Sequence, residues 1–207
     1  AMLGPTGLKV SGDQMWGLLI GGIIWGIMGD KKGRLSVLFG SILLYSLANI
    51  ANGFVQTVEQ YSLCRFIAGI GLAGELGAGI TLVSELIPKE KRGVATSLVA
   101  GVGLTGAVAA YFIAQNFDWR TCYFIGGGLG ISLLLLRVTV FESGMFKKIE
   151  HEKVSKGNFL MFFTNGKRFK KYVLAILIGL PTWYVIGIIV GFSREFGKAF
   201  NIQGEVN

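Results

Sequence analysis

Charge is scarce in this chain. Only 15% of its 207 residues are Asp, Glu, Lys or Arg, where soluble domains carry roughly 25%. Histidine occurs once, cysteine twice and proline three times. No zinc-ligand spacing exists among so few donors, and there is neither a P-loop nor a nucleophile elbow. The sequence therefore points away from an enzyme and calls for no metal and no cofactor. Cys64 and Cys122 read as small buried residues. What replaces charge is apolar mass: 52% of residues are hydrophobic and 32 are glycine. Apolar, glycine-rich, proline-poor segments suit helices packed closely in lipid. The net charge of +8 does not indicate nucleic acid, because the basic residues alternate with apolar blocks and form no basic face. The fold class is an all-α, polytopic helical membrane protein.

The most telling segment is a charged hairpin, Gly26-Ile27-Met28-Gly29-Asp30-Lys31-Lys32-Gly33-Arg34. Trp16 to Met28 before it and Leu35 to Val58 after it carry no charge. About two dozen such residues cross a hydrocarbon core of ~30 Å. Apolar blocks fall at about 16–28, 35–58, 61–87, 94–115, 121–141 and 172–192. The first is short for a crossing, and the expectation is that residues are missing near Ile20. The opening, Gly4-Pro5-Thr6-Gly7, reads as a polar turn rather than a signal peptide. Both chain ends read as loops of something longer.

Orientation follows the cations. Lys31, Lys32, Arg34, Lys89, Lys91 and Arg92 lie on one side, with nine more from Arg137 to Lys171. The other side holds Lys9, Arg120, Arg194 and Lys198. This bias places the Asp30 hairpin in the cytoplasm and both termini outside. The basic stretch Glu142 to Lys171 reads as a cytoplasmic loop, with a solvated His151 and an interfacial helix at Phe159–Phe163. The expected domains are residues 1–141, a helical bundle; 142–171, the central loop; and 172–207, the first span of a second bundle with an outer loop.

The hairpin resembles the signature loop of the major facilitator superfamily: Gly26, Asp30, Lys31, Gly33 and Arg34 match, with Leu35 where a basic residue is usual. Arg65-x-x-x-Gly69-x-Gly71 resembles the opening of the family's fourth span. Glu85-x-x-Pro88-x-x-x-Arg92-Gly93 resembles its loop before the fifth. The blocks would then be spans two to seven of twelve. Leu72 to Gly79, Asp118-Trp119-Arg120 and Glu142-Ser143-Gly144-Met145-Phe146 look like the metabolite:proton and sugar-acid symporter groups, with Gly144 in place of a usual proline. The fourth block lacks the Gly-Pro pair typical of drug antiporters. The resemblance implies that the Gly26–Arg34 loop, with Glu85 and Arg92, latches two bundles in one transport state.

Glu75 lies midway along an apolar block. A carboxylate there must be neutral, paired or wetted. It is either a proton-coupling or substrate-contacting group, or a fixed structural partner. Arg65 precedes it by ten residues, ~15 Å of helix rise and a different face, so the two should not pair. Arg65 can snorkel, bind an anion or meet a carboxylate on another span. Gly69, Ala73 and Gly77 form a small-residue packing stripe. Pro181 is either an ordinary kink or a break whose neighbours Trp183 and Tyr184 contact substrate.

The sequence thus reads as a proton-driven secondary transporter of a small organic metabolite, an organic acid or a sugar-like molecule. It works by alternating access in a bacterial inner membrane, with protons and lipid as its other partners. An antiporter or uncoupled facilitator of the same fold, or a transport-dead sensor or assembly subunit, are the competing readings. A cysteine at Lys32 or Lys89 in the full-length protein is expected to be labelled only from the cytoplasmic side. Labelling of either by an impermeant reagent outside intact cells contradicts the topology.

Overall fold

The computed structural model describes residues 5–136, 157–190, 196–197 and 200. Every regular element among them is helical. They divide into two compact units, one within Leu3–Gly157 and one within Asn158–Asn207.

The first unit opens with α1, Pro5–Lys32. Proline at a first helical position costs no backbone hydrogen bond, so Pro5 to Gly7 form a helical turn where the sequence suggested a loop. The short first apolar block also needs no extra residues near Ile20. The helix gains its length, about 42 Å, by running back through Asp13 and Lys9, and it passes Leu19–Gly22 unbroken. Gly33 alone separates it from α2, Arg34–Asn52. Its φ of +94° is a conformation that a Cβ disfavours. Lys31 and Lys32 complement the negative end of α1.

Helix α3, Val58–Leu86, starts with a reciprocal cap. The Thr57 hydroxyl accepts from the Gln60 N–H, and the Gln60 side chain accepts from the Thr57 N–H. It stops at Ile87, whose extended backbone is what a following proline imposes. A 3-10 turn, Lys89–Lys91, leads to α4, Arg92–Asn116, and α5 spans Trp119–Leu136.

Helix α3 is the central element, packed on α1 and α2, while α2 also packs on α5. Glycines set these distances. A Cβ on Gly21 would lie 2.5 Å from the Ile70 carbonyl oxygen, and one on Gly71 would lie 2.6 Å from the Tyr45 backbone nitrogen. Gly127 approaches Ile50 and Ser46 of α2 in the same way. Trp25 fills the space that Gly40 and Gly74 leave open, and its indole N–H donates to the Ile70 carbonyl at 2.7 Å. The expected stripe through Gly77 is only partly realised. Gly69 is buried against α1, but Gly77 meets open space. Gly71 faces α2 instead, and Gly74 receives both Ser41 of α2 and Trp25 of α1. Val37, Leu38, Ala78 and Leu82 form a small apolar core below them, lined by Trp25, Met28 and Leu35.

In the second unit, the expected interfacial helix is a single 3-10 turn, Phe159–Phe162. Helix α6, Gly166–Tyr184, carries Pro181 inside it and continues as a π-helical segment, Val185–Val190. Proline has no N–H, so the α-helical bond from position 181 back to Leu177 is missing. Helices α2, α3, α5, α4 with its leading turn, and the stretch Gly166–Ile189 are each long and apolar enough to cross a membrane. The readings for Glu142–Phe146, His151, Arg137, Arg194 and Lys198, and for the lysines from 147 to 156, fall outside the described residues.

Gly21→Ala is expected to destabilise the purified protein by about 1–3 kcal/mol through overpacking, and Gly22→Ala, which meets nothing within 4 Å, to leave it unchanged. Paired thermal unfolding in detergent checks this, and equal melting temperatures would refute the backbone-contact reading.

Candidate functional site

Two polar clusters lie at opposite ends of the first unit, because α1, α2 and α3 run alternately up and down. At the Asp30 end, Arg34 sits between two carboxylates. Its Nη1 is 3.0 Å from Asp30 and its Nε is 3.5 Å from Glu85. The Asp30 side chain is half exposed, while those of Arg34 and Glu85 are largely covered. Gly29 makes the arrangement possible, since a Cβ there would stand 2.7 Å from Arg34 Nη1. The cluster ties the start of α2 to the last turn of α3 across the Gly33 joint. Arg92 does not join through its Nε, which donates to the Ile87 carbonyl at 3.0 Å and closes the C-terminal end of α3. Gly26 lies one turn before Asp30 and faces open space.

The second cluster surrounds Arg65 of α3. Its Nε and Nη2 donate to the Gln14 side-chain oxygen of α1, at 3.2 and 2.8 Å. Its Nη1 reaches the Asn49 side-chain oxygen of α2 at 3.4 Å. Its guanidinium lies 5.5 Å from the ring centre of Tyr123 on α5. The Tyr123 hydroxyl is 2.6 Å from that of Tyr61. One turn before Arg65, the Ser62 hydroxyl donates to Asp13. Three neighbouring helices thus converge on one cation. Among the described residues, its hydrogen-bond partners are amides and carry no charge. Arg65 and Glu75 stand on different parts of α3, as their spacing requires. Glu75 is half-buried beside Gly74, whose missing Cβ admits Trp25 and Ser41. Trp183 and Tyr184 end α6 in the other unit, and both are exposed there.

Sequence reasoning missed Asp13, Gln14, Asn49, Tyr61 and Tyr123. Asp13 and Gln14 precede the first uncharged run, so they were not counted with a span. Asn49 belongs to a readable signal: Ser41, Ser46, Asn49 and Asn52 are the buried polar residues of α2, all within an otherwise apolar run.

At the same end, Asp118 caps α5. Its carboxylate accepts from the Arg120 N–H at 3.0 Å, from the Thr121 N–H at 3.4 Å and from the Thr121 hydroxyl. The Thr121 hydroxyl first, helped by smaller contributions from backbone N–H groups, holds the Asp118 carboxyl below the usual carboxylate range against the opposing effect of desolvation. A value depressed in the folded state means that the cap is complete above that range and fades as pH falls through the folded value. Hydrogen exchange at the Arg120 and Thr121 amides, corrected for intrinsic rates, is therefore expected to accelerate on acidification. Asp118→Ala is expected to exchange fast at every pH, and a wild-type profile in that variant would refute the cap.

The model of the Major Facilitator Superfamily matches residues 6–204. The chain is 36% identical to the niacin transporter NiaP of Acinetobacter baylyi over 61% of its own length and 30% of that protein. It is 32% identical to the sialic acid transporter NanX of Escherichia coli, covering 70% of the chain and 36% of the relative. For the benzoate transport protein of Acinetobacter baylyi the values are 30% identity, 71% and 33%. Among solved structures, the proton:xylose symporter XylE bound to 6-bromo-6-deoxy-D-glucose superimposes with a TM-score of 0.60 at 21% identity, over 69% of this chain and 36% of that one. The chain spans about a third of the length of these relatives.

Proposed function

This chain belongs to the Major Facilitator Superfamily, and we propose from that premise that its protein is a secondary transporter of small organic anions, driven by protons. The chain is multi-pass and helical, and it carries the family's architecture over the segment that it spans. The observation that carries the substrate class is Arg65. A cation within an apolar helical bundle normally meets a carboxylate. Here its hydrogen bonds go to Gln14 and Asn49 and its face to a tyrosine ring. Among the described residues its direct partners are neutral, while the nearby Asp13 carboxylate is engaged by Ser62, so a passing anion can serve as its direct counter-charge. Relatives named for niacin, sialic acid and benzoate, each an acid, support the same class.

In this reading, Glu75 is the proton-coupling candidate, because a carboxyl midway along an apolar helix is held in its neutral form more easily than in its charged one and can exchange a proton during a cycle. Arg65 attracts the substrate, with Trp183 and Tyr184 as further substrate contacts. The Asp30–Arg34–Glu85 cluster, with Gly26, Gly33 and Arg92 around it, biases the two-state equilibrium of a rocking bundle from the cytoplasmic side. Residues 1–141 serve as one bundle, 142–171 as the connecting loop and 172–207 as the start of the second. An arginine shared between two carboxylates at a single-residue joint can exchange partners as the joint moves, which suits a switch.

Proteoliposomes holding the full-length protein test the coupling. Glu75→Gln is expected to lose accumulation of labelled substrate against its gradient, since glutamine mimics the protonated acid. Substrate exchange is expected to persist. Full accumulation by well-folded Glu75→Gln would remove Glu75 from the mechanism. Wild-type uptake indifferent to collapse of the proton gradient would replace symport by an uncoupled route, and no uptake at all would leave a sensor or assembly role.

A further inference from the structure

At the end of the first unit opposite Asp30, the α2–α3 loop and the first turns of α3 and α5 border an open cleft of about 430 Å³. Its walls are three aromatic rings in mutual edge-to-face contact. Tyr61 and Trp119 have centroids 6.4 Å apart at 88°, Tyr61 and Tyr123 6.0 Å at 69°, and Trp119 and Tyr123 6.3 Å at 83°. Rings set nearly at right angles make a corner in which a flat guest stacks on one face and meets the edges of the others. The fourth wall is Arg120, its guanidinium 4.8 Å from the Trp119 ring centre.

We propose that this corner is a binding site for a small aromatic carboxylate, distinct from Arg65 and placed before it on the route into the bundle. Each chemical element of such a ligand has a counterpart. The rings take the ring. Arg120 is anchored by Nη1 to the Gly53 carbonyl at 3.3 Å and by Nη2 to the Val55 carbonyl at 3.0 Å. Those two bonds use two of its five N–H donors, which fixes the guanidinium while leaving donors for an anion. The Tyr61 and Tyr123 hydroxyls are 2.6 Å apart and share one bond between them. Two hydroxyl protons serve that pair, and only one is used, so the other is free to reach a carboxylate oxygen. The side chains lining the cleft include no carboxylate. A quaternary ammonium, the usual guest of aromatic cages, would face the arginine's charge instead of a counter-charge. An aliphatic acid would leave the three rings unused.

Tyr123 connects this corner to the second cluster, because the same ring lies under Arg65. A guest stacked here is one aromatic ring away from the membrane-embedded cation. The site rests on the reading of the protein as an organic-anion transporter for its purpose, though not for its geometry.

The test uses the full-length protein in nanodiscs, with Cys64→Ala and Cys122→Ala as background and Gln56→Cys, at the cleft rim, as reporter. At ten times its dissociation constant, benzoate is expected to slow maleimide labelling of the reporter about tenfold by mass action. Cyclohexanecarboxylate and benzyl alcohol at the same concentration are expected to slow it less than half as much. Arg120→Gln and Trp119→Leu are each expected to abolish the protection; Trp119 is half exposed, so its variant still reports if loss of the Arg120 anchors prevents folding. Equal protection by benzyl alcohol would overturn the proposal. So would protection that survives Trp119→Leu, or that appears with phosphatidylglycerol in the disc and without benzoate, which would mark a lipid site. Uptake of labelled benzoate is read in parallel. Protection without uptake overturns the transport reading and leaves the site, and uptake without protection overturns the site alone.

Discussion

The contact on which this bundle depends is backbone against backbone between α1 and α3. In lipid the surrounding tails are as apolar as leucine, so burying apolar side chains gains little, and helices associate through close van der Waals packing. Gly21 on α1 and Gly69 on α3 supply that closeness, each with the other helix's main chain where a Cβ would stand. Trp25 then locks the approach. Its indole fills the volume beside Gly40 and Gly74 and donates to the Ile70 carbonyl. An indole N–H in an apolar setting must find an acceptor, so the bond fixes the rotation of α1 as well as its distance.

The same packing positions the chemistry. Gly69 is one turn along α3 from Arg65, and it receives the backbone of Gln14. The glycine that brings the helices together therefore delivers the Gln14 amide to the guanidinium, at 2.8 Å from Nη2. On the other side, Gly71 lets Tyr45 approach, one turn before Asn49, the second amide on Arg65. Small residues and polar residues are thus one design: each amide reaches the cation because a neighbouring glycine has removed the Cβ that would hold its helix away.

The helical class and most helix limits were legible because uncharged runs and charged turns alternate sharply. The Gly33 joint was legible because local spacing decides it. The link from Arg34 to Glu85 was readable only through family resemblance, since the two lie far apart in sequence. The start of α1 was misread because Lys9 and Asp13 interrupt the apolar run. Hydropathy counts charge, but it does not see that Asp13 has Ser62 and Gln14 has Arg65 on the facing helix. The aromatic corner was invisible for a similar reason. Trp119 and Tyr123 share one face of α5, four residues apart, but Tyr61 belongs to α3, and only tertiary packing brings it to them.

Helix α4 has no buried residue, although α3 before it and α5 after it are both tied into the bundle. The order of packing is therefore not the order of synthesis. As the chain is made, α1, α2 and α3 can close on one another as soon as residue 86 has emerged. α5 then reaches past α4 to Ser46 and Ile50 on the far older α2. A nascent chain arrested after α4 would already hold α1, α2 and α3 against one another, and the aromatic corner and the Tyr123 face of Arg65 would exist only once the next hairpin had turned back.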